Sequence, residues 1–196
     1  MKRVFTVICV LMLSLPLCGF GKNAAQYIEP AQLTGQEQEL MALLGANAGY
    51  RLFDFRVDKT VQSLRVSVYE LKDGAWQRIG GGGTHMISGG EGRLALGFDK
   101  IANGLFVGIS GYGSVRNSYP DAVEFPNMGC LTSSLSSREE VTPEAEIPLV
   151  TQVITSKNEV MTFDFDTPER YVAQGYEHVY AITVAFSDKA PADWAR

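Results

Sequence analysis

Two histidines and three cysteines are all that this chain of 196 residues holds of the side chains that most often bind metals or pair a nucleophile with a base. Two of the cysteines, Cys9 and Cys18, fall in the first eighteen residues, which leaves Cys130 alone in the remainder. A single cysteine makes no intramolecular disulfide, so the domain must hold itself by its core. Cys130 reads as a small buried hydrophobe, since a catalytic thiol needs a partner base and none stands beside it. His85 and His178 are far apart, and no two metal ligands stand at zinc spacing. No metal, no cofactor and no catalytic residue is assigned.

Positive charge is also scarce. Lys and Arg number 17 against 22 Asp and Glu, a net charge of −5, which becomes −7 once Lys2 and Arg3 leave with the N-terminal segment. That balance excludes the basic stripe that nucleic acid requires and a polybasic hold on anionic lipid.

Long apolar runs are missing except for one, Val4 to Leu17, which follows Lys2 and Arg3 and is broken only by Thr6, Ser14 and Pro16. It is shorter than the roughly 20 residues of a membrane span and has the form of a secretory signal peptide, residues 1–21. It supports two exits. Leu15, Cys18 and Gly19 resemble the box of bacterial lipoprotein signals, with Cys18 as lipid attachment point, although Pro16 and Leu17 depart from it. Gly19-Phe20-Gly21 instead suits ordinary cleavage before Lys22. Either places the domain outside the cytoplasm, secreted or held to the cell membrane by lipid alone.

Nucleotide and hydrolase motifs are absent too. "GGGGTHMISGGEGR", Gly80 to Arg93, lacks the lysine of a phosphate loop, and the spacing Gly90, Gly92, Ala95 lacks the strand-then-helix context that gives it meaning. The stretch reads as a flexible loop. Gly108-Ile109-Ser110-Gly111-Tyr112 breaks the nucleophile elbow at its fifth position. Asp54, Asp58, Asp164 and Asp166 match no calcium loop and read as solvated charges.

What is present is a change of period. Residues 22–33 read as a tether. Thr34 and Glu37 form a capping box, and Leu40, Met41, Leu43 and Leu44 make an apolar stripe at helical spacing, which calls for a sheet face to cover. From Tyr50 on the period is two. "RLFDFRVD" sets Phe53, Phe55 and Val57 against Asp54 and Arg56, and "SLRVSVYEL" sets Leu64, Val66 and Val68 against Arg65 and Ser67. Hairpins are expected at Lys72-Asp73-Gly74, at Asn103-Gly104 and at Ser156-Lys157-Asn158, the last joining "IPLVTQVITS" to "EVMTFDFD". The final run, "YEHVYAITVAF", is apolar on both faces, which suits a central strand. Thr167-Pro168 opens a second helical turn near 168–174, closed by Gly175. Together these give one mainly β domain, residues 34–196: an antiparallel β-sandwich, with a barrel as the alternative.

The longest stretch without strand pattern is Gly111 to Cys130, and loops of that length are often functional. Tyr112, Arg116 and Tyr119 within it suit a polar small molecule, a glycan or a protein at the cell envelope. The competing reading packs the rings down to hold the loop. The sequence therefore implies an exported cell-surface or periplasmic binding or accessory domain. A structural or assembly subunit of an envelope complex comes second, and a hydrolase third.

Overall fold

In the computed structural model residues 25–43, 45, 49–119 and 124–194 are described. The signal peptide, its Cys18 attachment point and Leu44 lie outside them. Among the described residues eleven strands form two antiparallel sheets. The first has the order β7-β6-β5-β2-β1-β9, the second β4-β3-β11-β10-β8. In chain order the elements are β1 (Tyr27–Pro30), α1 (Gly35–Leu43), β2 (Tyr50–Val57), β3 (Ser63–Lys72), β4 (Ala75–Met86), β5 (Gly90–Gly97), a 3-10 turn (Ile101–Asn103), β6 (Gly104–Ile109), β7 (Gly113–Ser118), β8 (Gly129–Ser134), β9 (Glu139–Glu140), β10 (Ile147–Thr155), α2 (Pro168–Gln174), β11 (His178–Ser187) and α3 (Pro191–Trp194). The sheets stay open and face each other as a sandwich.

The period-two runs place the core. Phe53, Phe55 and Val57 of β2 and Leu94 and Leu96 of β5 point inward from the first sheet. They meet Leu64, Val66 and Val68 of β3 and Ile182, Val184 and Phe186 of β11. The rings of Phe55 and Phe186 lie 5.4 Å apart across the interface. Strand β11 is third of five in its sheet, and all but its first residue are buried. Both of its faces are covered, as its apolar sequence requires.

The helices follow their local signals. Glu37 accepts the Thr34 backbone N–H at 2.8 Å and its own N–H donates to the Thr34 hydroxyl oxygen at 3.3 Å, the reciprocal capping box. The stripe of α1, however, is left in solvent: Leu40 is 56 % and Leu43 79 % exposed. Ion pairs hold the helix instead, since Arg93 bonds both Glu37 (2.7 Å) and Asp54 (2.6 Å) on the outer face of the first sheet. Helix α2 spans 168–174 as expected, with Gly175 in the left-handed region at φ 61°.

Five expectations are corrected. Residues 27–30 are strand rather than tether: β1 pairs with β2 and β9 and buries Ile28. Four residues with one inward side chain are too short to show a period. The Gly80–Gly83 run lies inside strand β4. Its glycines are there because the chain is crowded: a Cβ on Gly80 would sit 2.7 Å from the Tyr119 hydroxyl, and one on Gly82 would sit 2.2 Å from Val107. The third hairpin does not form. Residues 159–166 pair with no strand, and β10 lies between β11 and β8. Phe165 stacks on Trp76 and Phe163 packs edge to face against Tyr171 on the outer side of the second sheet, which produces the same alternation as a strand. Cys130 is exposed on β8, not buried. The stretch from Gly111 is interrupted by strand β7, which pairs with β6 along its length.

Residues 156–177 therefore form an excursion over the second sheet, and Glu177 closes its base. Its carboxylate accepts hydrogen bonds from the Ser156 hydroxyl (2.5 Å), the Ser156 N–H (3.3 Å) and the Thr155 hydroxyl. Those donors hold its pKa down at about 2. A carboxyl with a depressed folded pKa stabilises the fold above its unfolded value, near 4.5, and loses that contribution as pH falls through 2. Glu177→Gln should therefore lower the melting temperature at neutral pH. The gap to wild type should close between pH 4.5 and 2. A gap independent of pH would show that the carboxylate does not clamp the excursion.

Candidate functional site

The register of four neighbouring strands builds one row across the outer face of the first sheet. Tyr50 stands opposite Gly97, Gly97 opposite Phe106, and Phe106 opposite Arg116. Because Gly97 has no side chain, the Tyr50 ring lies down over it. A Cβ there would come within 2.6 Å of the ring. Phe106 leans over Gly108 in the same way, 3.2 Å from where a Cβ would be. The Tyr50 and Phe106 rings meet edge to face with centroids 5.9 Å apart. The Arg116 guanidinium carbon lies 5.6 Å from the Phe106 centroid on the other side.

Along this row is a cleft of about 350 Å³, lined by Tyr50, Gly97 and Phe106 of the row together with Asp99, Lys100, Arg116 and Ser118. Its walls are fixed from within. The buried Gln152 of β10 accepts the Ile101 N–H at 2.9 Å and donates to the Asp99 carbonyl at 3.0 Å, so the second sheet positions the 99–101 segment. The Asn117 amide donates to the Gly81 carbonyl and ties β7 to β4. Arg56, Arg65, Arg93 and Arg138 each hold a carboxylate. Arg116 pairs with none among the described residues.

Of the three residues singled out in the sequence, only Arg116 lines this cleft. Tyr112 sits before β7, where its hydroxyl accepts the Ser88 N–H at 2.9 Å. Tyr119 follows β7 and packs its ring on Gly80, and burial raises its hydroxyl pKa. The two tyrosines are separated by the length of β7, about 20 Å for six residues, so the three do not converge. Tyr50, Phe106, Asp99 and Lys100 were not legible as site residues. Tyr50 and Phe106 do occupy the solvent face of their strands' alternation, where an aromatic ring is the one available signal.

No protein-family model, curated protein or solved structure matches this chain. What the cleft can hold follows from its own chemistry.

A larger cleft, about 730 Å³, lies between Phe163–Asp166 and residues 133–151. Its rings are already engaged. Phe165 stacks on Trp76 at 4.9 Å and Phe163 lies against Tyr171 and Arg170. Its Glu146 bonds Arg65 at 3.2 Å, Tyr69 at 3.3 Å and the Thr183 hydroxyl. No group of His, Cys, Asp or Glu is arranged to hold a metal ion among the described residues. The Arg138 guanidinium lowers the pKa of Glu29, the Thr34 capping bonds lower that of Glu37, and Lys189 lowers that of Glu144. These are structural anions, the opposite of the raised carboxyl that a general acid requires.

Proposed function

We propose that this chain is a binding domain of the cell envelope whose cleft takes a polar ligand with an acidic group beside a ring, acidic sugars being the first class to test. The observation that carries the reading is Arg116, an arginine with no carboxylate partner among the described residues, set over Phe106 in a row that ends on the Tyr50 ring. A guanidinium binds a carboxylate through two parallel hydrogen bonds. A half-buried ring offers an apolar face to a sugar, and hydroxyls can reach the Ser118 side chain of the wall. The walls are fixed by sheet register and by Gln152, so little order has to be gained on binding.

The location rests on the leader. If Cys18 carries lipid, the nine residues from it to Tyr27 span at most about 32 Å. The sandwich would then ride close to the membrane surface. Among the described residues no helix is long and apolar enough to cross a membrane.

Calorimetric titration with a panel of neutral and acidic oligosaccharides tests the site. An acidic member should bind, and Arg116→Ala should weaken it at least tenfold with the melting temperature unchanged. Tyr119→Ala should lower the melting temperature and leave the affinity intact. Binding that survives Arg116→Ala would place the ligand elsewhere.

A second reading, a structural or assembly subunit of an envelope complex, is favoured by one observation: among the described residues β8 has a strand partner on one side only.

A further inference from the structure

Open sheets have edges, and an unprotected edge is a template for another strand. Three of the four edges here are protected. Strands β7 and β4 close over each other through Asn117 on the Gly81 carbonyl and, just past β7, Tyr119 on Gly80, while Val107 of β6 packs on Gly82. Strand β4 is also irregular, with register shifts against β3 and positive φ at Gly81 and Gly83. Strand β9 is only Glu139-Glu140, too short and too acidic to invite pairing.

Strand β8 has none of these devices. It runs six residues, Gly-Cys-Leu-Thr-Ser-Ser, with no charge and no proline. It pairs with β10 from Gly129 to Ser134 without a bulge. Among the described residues no backbone hydrogen bond joins Gly129–Ser134 to anything beyond β10. Leu131 is 37 % exposed, and Cys130 is an exposed free thiol.

We propose that β8 is an interface strand that pairs antiparallel with β8 of a second copy of this chain, joining the two second sheets into one of ten strands. A second copy fits because a strand placed against itself across a two-fold axis must tolerate its own charges. Strand β8 has none, whereas β9 would set glutamates against glutamates. Pairing also closes: each copy has one such edge among the described residues, so the contact is isologous and stops at two. The register that centres on Leu131 sets that side chain against its own copy and covers both. Cys130 then stands opposite Thr132 of the second copy, and the two thiol-bearing residues are diagonal neighbours, roughly 7–8 Å apart. That is too wide for a disulfide without backbone movement and within reach of a short bismaleimide. The inference is independent of the ligand reading.

The experiment is sedimentation velocity on the exported protein with reductant, over a wide concentration range. The mass should rise from monomer towards dimer. Leu131→Lys and Leu131→Glu each set a charge directly against its own copy at the seam and should weaken dimerisation at least tenfold, with circular dichroism and melting temperature reporting that the sandwich is intact. Two variants are used so that one failing to fold leaves the other to decide. Cys130→Ser should keep the dimer and abolish bismaleimide cross-linking. A wild type that stays monomeric at the highest concentration overturns the proposal. So does a dimer unaffected by both Leu131 variants, or one lost in Cys130→Ser.

Discussion

Gly81→Ala is expected to cost about 2–6 kcal/mol, the sum of a strained backbone and an overpacked contact, each about 1–3 kcal/mol. Gly81 has φ +149°, and a Cβ there would lie 2.2 Å from the Val66 carbonyl oxygen and 2.9 Å from the Ser67 Cα. Both obstacles are backbone of the adjacent strand β3. They can yield only by breaking the ladder that joins the two strands. For a domain whose total stability is about 5–15 kcal/mol, that is a large fraction. Gly83→Ala is the control. It has open space and only φ +81° against it, so about 1–2 kcal/mol is expected. Urea denaturation of the two variants measures the difference. Equal and small losses would mean that the glycine run is loose chain after all.

Tyr171→Ala is the second large effect, about 3–5 kcal/mol for a buried aromatic. Tyr171 is 1 % exposed and centres the smaller core, with Val153 and Val179 beneath it. Its ring meets Phe163 at 5.1 Å and Trp76 at 6.1 Å, both edge to face. Its hydroxyl accepts the Phe163 N–H at 2.6 Å and donates to the Phe163 carbonyl. Tyr171→Phe keeps the ring and should cost only about 1–2 kcal/mol. Hydrogen exchange localises the damage: amides of 156–177 should lose protection in Tyr171→Ala before those of β2 and β5. Loss spread evenly over both sheets would show that the excursion is not a separate layer.

The face of each strand was legible in the sequence, and its partner was not. Alternation placed Phe53, Phe55, Val66 and Val68 inward, and the two-sided apolar run placed β11 in the middle of its sheet. Alternation is equally produced by a segment laid across a sheet, which is why 159–166 reads as a strand and is not one. Glycine is ambiguous in a similar way: it serves freedom in a loop and close approach in a packed edge, and only the neighbours Tyr119, Val107 and Val66 decide. A cysteine carries the same ambiguity. Cys130 has the composition of a core residue but belongs to an edge strand, where only β10 pairs with it among the described residues and its thiol is exposed. The site was half legible. Arg116 was marked by its company in a loop-like stretch. The rings it works with, Tyr50 and Phe106, come from other strands and meet it only through the register of β2, β5, β6 and β7.

The most direct test of the binding assignment is amide chemical-shift mapping by two-dimensional NMR during titration with an acidic oligosaccharide. The largest shifts should fall on Gly97, Lys100, Phe106, Arg116 and Ser118, with Tyr112 and the residues of the excursion unmoved. Shifts centred on residues 133–151 and 163–166 instead would assign the ligand to the larger acidic cleft and contradict the account.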